Sequence, residues 1–243
     1  MRVRLTLSYD GSAFSGFQVQ KNAESVQHLL CEALATVCKA PVPVSGCSRT
    51  DAGVHARTFV CHADLPCDSL PPRILTSLNA LLPDTIAVSE ITEVSENFHA
   101  RYSATGKTYR YYFTNAPVRD PLSLDRALQV KAPLDLEKMK EAATALLGTH
   151  DFAVFQAAGS KVKDTVRTVT QAEFVKTGAH TFYFEITANG FLYRMVRNIV
   201  GTLLDIGLGK DYDIPALLNS KDRTKAGKCA PPHALYLWQV HYD

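Results

Sequence analysis

The chain has 243 residues, 46% hydrophobic and 21% charged, with a formal net charge of +2. That profile suits one large globular domain or two small ones, and the charge is too small to announce a nucleic-acid partner by itself. No apolar run approaches the roughly 18 residues of a membrane span, and MRVRLTLSYDG turns polar at Ser8 without a signal-peptide core, so the reading is cytoplasmic with no membrane.

In chain order, MRVRLTLSYDG alternates Val3, Leu5 and Leu7 on one face, the period of a half-buried strand, and Asp10-Gly11 ends it with a turn. Ser25 is placed to cap a helix whose apolar face is Val26, Leu29, Leu30, Ala33, Leu34 and Val37. RTFVCHADL and TIAVSEI read as strands. The plan then repeats. KTYRYYFTN is an aromatic-rich strand, LEKMKEAATALLG a helix closed by Gly148, and HTFYFEITA a strand. FLYRMVRNIVGTLLDIGLG reads as one long helix. Two strand–helix–strand layouts predict an α+β protein of two related halves, residues 1–104 and 105–243, with the seam near Ala104.

On a helical wheel, Met195, Val196, Ile199, Val200, Leu203, Leu204 and Ile206 fill one arc. Arg197 falls on its shoulder, while Asn198, Arg194 and Asp205 lie farther round. A guanidinium on that shoulder either meets a carboxylate or several acceptors, or lays its stem on the apolar surface and reaches water.

The six cysteines contain no CxxC pair, and His55, Cys61 and His62 lack the paired spacing of zinc ligands, so the cysteines read as reduced and packed. Neither a P-loop nor a dinucleotide motif occurs, so no cofactor is implied. Charge is uneven: residues 1–104 carry 8 Lys+Arg against 10 Asp+Glu, and residues 105–243 carry 18 against 14. Within NSKDRTKAGKCA, Lys221, Arg223, Lys225 and Lys228 stand against Asp222 alone. Such a run is a solvated loop or a phosphate-contacting strip, and charge alone favours the first.

One stretch, SRTDAGVHA at 48–56, concentrates reactive types. Asp51-Ala-Gly53 suits a tight turn, because Asp bonds its own backbone and Gly accepts positive φ. A glycosidase would need a second carboxyl group, and the next acid is Asp64. A lone carboxylate between cations suits covalent chemistry that activates no water.

SRTDAGVHA resembles the signature loop of the tRNA pseudouridine synthase A family. YDGSAFSGFQVQ, NFHARYSATGKTYRYYF, FLYRMVRNIVG and APPHALYL resemble further blocks of that family, in family order. Departures are Ser48 and Phe17, where the family often has Gly and Trp, and His233-Ala234 in place of a Gly. None touches a chemical group.

The resemblance implies two ferredoxin-like halves with mainly antiparallel sheets joined around a central cleft, acting as a homodimer. It implies isomerisation of uridines at positions 38–40, in the anticodon stem-loop of tRNA, to pseudouridine. Asp51 is then the nucleophile, attacking the ribose or the uracil ring or working through a glycal-like species, and Arg197 is its basic partner in an ion pair. Tyr109 lies on the uracil, a role that alternation cannot assign because Tyr111 shares its face. Arg49 fills the space left by a flipped uridine, holds its phosphate, or bonds the loop backbone. His55 reads as loop packing, and Leu237 either closes the pocket or sits in the core. RNA backbone contacts fall to Lys161, Lys163, Arg167, Lys221, Arg223, Lys225 and Lys228. The rival readings are a non-catalytic RNA-binding protein on the same fold and a carboxylate-dependent hydrolase.

Overall fold

A computed structural model describes residues 1–160 and 162–243, so Lys161 lies outside the described residues. The chain is α+β and divides into two compact units, residues 1–105 with 236–243, and residues 106–235. The strands are β1 (Arg2–Tyr9), β2 (Val44–Gly46), β3 (His55–Asp64), β4 (Ile86–Glu93) and β5 (Ala104–Asn115). They continue with β6 (Leu128–Val130), β7 (Gly148–Asp151), β8 (Val166–Lys176), β9 (Thr181–Ala188) and β10 (Leu235–Tyr242). The helices are α1 (Val26–Cys38), α2 (Ile74–Leu81), α3 (Leu136–Thr144), α4 (Met195–Gly207) and α5 (Ile214–Ser220).

In the first unit β1 lies between β3 and β4, antiparallel to both, with Leu5 opposite Cys61 and Ile91. Its alternation is strict: Val3, Leu5, Leu7 and Tyr9 are buried and the residues between them are not. β2 pairs with the end of β3, and β10 runs parallel to its start, with Leu237 opposite Ala56. Ser25 caps α1 by accepting from the His28 amide at 3.3 Å. The helix buries Val26, Leu30, Ala33 and Leu34 and stops at Lys39, whose backbone is left-handed.

In the second unit β9 lies antiparallel between β5 and β8. β7 extends the sheet antiparallel beyond β8, and β6 runs parallel to the end of β5. Two elements differ from the sequence prediction. Helix α3 ends at Thr144, and Gly148 opens β7 instead of closing the helix. Pairing of Gly148 with Val169 recruits the chain into the sheet, and Leu146 turns into the core fully buried. Helix α4 begins only at Met195, because Arg194 adopts a left-handed φ of 56°.

The wheel also misplaced Asn198. It is fully buried, as is Thr202, and Gly201 is buried with them. The reason is a second layer on that side of α4: a Cβ on Gly201 would stand 1.6 Å from the Lys228 carbonyl oxygen. Glycine at 201 lets the 227–230 segment lie directly on the helix backbone.

Candidate active site

The Asp51 loop joins β2 to β3 in the first unit. Its start is anchored by the Cys47 amide on the Val60 carbonyl at 2.8 Å. The buried hydroxyls of Tyr9 and Thr50 share a hydrogen bond of 2.8 Å. The Val54 amide returns to the Asp51 carbonyl at 3.1 Å, and Gly53 takes a φ of 77°, which closes the tight turn. Two glycines let residues 11–16 press against this loop. A Cβ at Gly11 would meet the Val54 carbonyl oxygen at 2.0 Å, and one at Gly16, whose φ is +98°, would meet the Thr50 carbonyl oxygen at 2.3 Å. The carrier of Asp51 is therefore held by backbone contacts on either side of it. Asp51 itself is half-buried, and Arg49 and Ala52 are exposed.

His55 follows the loop and is buried. Its Nδ1 accepts from the Gly11 amide at 3.1 Å and lies 3.2 Å from the Asp10 carboxylate, and its ring stacks on Tyr236 at 4.5 Å. These contacts make His55 a packing residue of the loop base.

In the second unit α4 carries Arg197, half-buried on the shoulder of the core face. Its Nε donates to the Ala230 carbonyl at 2.8 Å, and the Ala230 amide donates back to the Arg197 carbonyl at 3.0 Å. The guanidinium is thus aimed by a fixed backbone partner. Beside it, the Gly227 amide donates to Thr202 Oγ1 at 2.9 Å. Asn198 Nδ2 donates to the Phe155 carbonyl at 2.8 Å, and Asn198 Oδ1 accepts from Arg223 at 2.9 Å.

Tyr109 and Tyr111 share a face of β5, and both are buried. Tyr111 is fully buried, and its hydroxyl donates to the Pro231 carbonyl at 2.9 Å. Burial pushes its phenol well above the usual range, with the Arg197 charge opposing. Tyr109 meets Phe191 edge to face, with ring centroids 5.0 Å apart. Both rings are buried, so burial does not choose between them, and Tyr109 remains the candidate by its place in the KTYRYYF block.

The family model described as tRNA pseudouridine synthase matches residues 6–103 and 142–243. The tRNA pseudouridine synthase A of Bacillus subtilis is 44% identical over 247 residues, covering 100% of both chains. Those of Bacillus velezensis and Ruminiclostridium cellulolyticum are 45% and 43% identical, covering 100% and 99% of both chains. The chain belongs to the tRNA pseudouridine synthase A family.

Within this tRNA pseudouridine synthase A chain, two of the departures from the family pattern, Phe17 and Ala234, sit in packed positions, while Ser48 and His233 are half-buried. Phe17 is buried and stacks on Phe59 at 4.2 Å, and Ala234 is fully buried. Leu237 is fully buried as well. Arg49 bonds no backbone group of its loop, and its guanidinium has no hydrogen-bond or ion-pair partner among the described residues.

The basic run of 221–228 is split. Lys221 pairs with Asp151 at 2.7 Å, whereas Arg223 and Lys228 line a cavity of about 410 Å³ with Arg194 and Asn198. Lys163 and Lys225 are exposed, and Arg167 faces Asp164 at 4.0 Å. Sequence reasoning missed Asn198, which positions Arg223, and the turn of His99, Arg101 and Tyr102 that lines a cavity with Arg49. The quoted HARYS block held the second signal, but nothing in its periodicity marks Tyr102 as exposed.

Proposed function

We propose that this chain isomerises uridines at positions 38–40 of the tRNA anticodon stem-loop, with Asp51 as nucleophile, Arg197 as its cationic partner and Tyr109 against the uracil. The observation that carries this reading is the Asp51 turn, closed by its own backbone and pinned where Gly11 and Gly16 admit close approach. A turn so fixed presents its carboxylate in one geometry, as covalent capture requires.

The reaction breaks the N1–C1′ bond, turns the base and joins C5 to C1′. C5 loses a proton and N1 gains one, so atoms balance without oxidation and no cofactor takes part. A stem uridine must first leave its stack, at a cost of a few kcal/mol. Arg49 occupies the vacated space or holds the displaced phosphate. The Tyr109 ring stacks on the uracil, worth roughly 1–3 kcal/mol, and its hydroxyl assists removal of the C5 proton. A cation about 4 Å from the carboxylate stabilises its charge by roughly 4 kcal/mol at an effective dielectric of about 20. Arg197 fits that task because the Ala230 carbonyl fixes its Nε, and a guanidinium presents its N–H groups to an anion in a planar fork. Leu237, buried opposite Ala56, closes the pocket over the base.

Lys161, Lys163, Arg167, Lys221, Arg223, Lys225 and Lys228 hold the RNA backbone through charge rather than sequence. The chain acts as a homodimer in the cytoplasm, presenting two basic surfaces to one tRNA. Among the described residues no helix is long and apolar enough to cross a membrane.

Tritium release from tRNA labelled at uracil C5 tests the reading. Release is expected from tRNA with uridine at positions 38–40 and none when cytidine replaces it there. Binding without release would point to the non-catalytic binder, and free uracil to a hydrolase.

A further inference from the structure

The first unit holds a cavity of about 200 Å³ lined by Arg49, Gln18, Phe17, His99, Arg101 and Tyr102, of which the proposed chemistry uses Arg49 alone. Tyr102 is 76% exposed. An aromatic ring left in water forgoes the burial that normally stabilises it. This ring is nevertheless fixed. His99 Nδ1 accepts from the amides of Arg101 at 3.1 Å and Tyr102 at 3.3 Å. The His99 amide donates to Ser103 Oγ at 3.0 Å, and the Ser103 amide returns to the His99 carbonyl at 2.9 Å. The His99 ring backs Tyr102 with centroids 4.3 Å apart, and is itself packed on His62 at 4.6 Å.

Charge at the cavity has one sign. Arg101 carries its guanidinium carbon 5.7 Å from the Tyr102 centroid. Neither Arg49 nor Arg101 has a carboxylate within 4.0 Å among the described residues, and both are exposed. An exposed ring backed by His99, with two guanidiniums that no carboxylate neutralises, matches a nucleotide: the ring takes a base and the cations take its phosphates. A duplex offers no free base face, so the ligand is an unpaired or unstacked nucleotide. Arg49 and Asp51 are two residues apart in the chain, which keeps their Cα atoms within about 7 Å.

We propose that the His99–Tyr102 turn and Arg49 form a stacking subsite for an unpaired nucleobase of the tRNA neighbouring the target uridine, with Arg101 on its phosphate. The proposal rests on the reading of tRNA as substrate, and its test needs no turnover. The probe is full-length tRNA carrying 2-aminopurine singly at positions flanking the target, with affinity and fluorescence measured for the parent chain, Tyr102→Ala, Tyr102→Phe and Arg101→Gln.

Tyr102→Ala is expected to weaken binding about 5- to 150-fold, the range set by loss of one base stack. It should also abolish the quenching seen at one flanking position, with an unchanged melting temperature. Tyr102→Phe should retain both affinity and quenching. Arg101→Gln should reduce the slope of log Kd against log salt by about one. Affinity of Tyr102→Ala within twofold of the parent, or quenching that is the same in parent and Tyr102→Ala at every position, would overturn the proposal. Failure of Asp51 as nucleophile would show in turnover and leave this quenching intact. Absence of tRNA binding by the parent chain would overturn both.

Discussion

The Gly11 amide donates to His55 Nδ1 at 3.1 Å, joining the turn after the first strand to the residue that ends the Asp51 loop. The bond exists because residue 11 lacks a side chain, since a Cβ there would lie 2.0 Å from the Val54 carbonyl oxygen. Gly11→Ala should therefore destabilise the chain by about 1–3 kcal/mol through overpacking against backbone that cannot rotate away. Thermal unfolding checks this, with a fall of roughly 2–4 °C per kcal/mol for a chain of this size.

Gly201→Ala should reverse the usual helix rule. In an open helix alanine is favoured over glycine by about 1 kcal/mol. Here the added methyl would meet the Lys228 carbonyl oxygen at 1.6 Å and displace the segment whose Ala230 carbonyl aims Arg197. A lower melting temperature and loss of turnover are expected together.

Arg197→Lys keeps the charge but removes the Nε that donates to the Ala230 carbonyl. A lysine ammonium is a point charge on a flexible stem, so its direction is no longer set. The expected result is a fall in kcat on the order of 10²-fold, typical of losing one oriented electrostatic contact, with tRNA Kd unchanged. Single-turnover kinetics alongside filter binding separate the two quantities.

His62 gives the stability a pH dependence of defined sign. Burial first, then the charges of His99 and Arg2, hold its pKa below the ordinary 6.5, with Asp64 opposing. Its Nδ1 accepts from the Ala100 amide at 3.1 Å, a bond that protonation at that nitrogen would break. The folded state thus binds fewer protons than the unfolded state below the unfolded pKa. The contribution is whole above about 6.5 and is lost as pH falls toward the depressed folded value. Melting temperature should decline from about pH 7 to about pH 5, and His62→Gln, which retains an acceptor, should flatten the decline.

Local patterns in the sequence foretold much of the first unit. Val3, Leu5 and Leu7 alternate because one face of β1 is core, and Ser25 caps α1 through its own side chain. Misreadings arose where a distant segment decides the outcome. Asn198 lies outside the apolar arc of α4, yet it is buried because Arg223 and Phe155, both far away in the chain, supply its partners. Gly148 reads as a helix stop, but pairing with Val169 makes it a strand opener. Of the candidate site, the Asp51 turn was legible from Asp-x-Gly alone, whereas the fixed exposure of Tyr102 depends on a turn centred on His99 Nδ1. Periodicity carries no record of such a bond.

The central claim is that the Asp51 carboxylate forms the covalent link that permits the base to turn. Pseudouridine formation by Asp51→Asn, measured in a single turnover with enzyme in excess over tRNA, tests it most directly. The account predicts parent-like tRNA affinity and melting temperature with no pseudouridine formed. Conversion by a folded Asp51→Asn protein at the parent rate would contradict it.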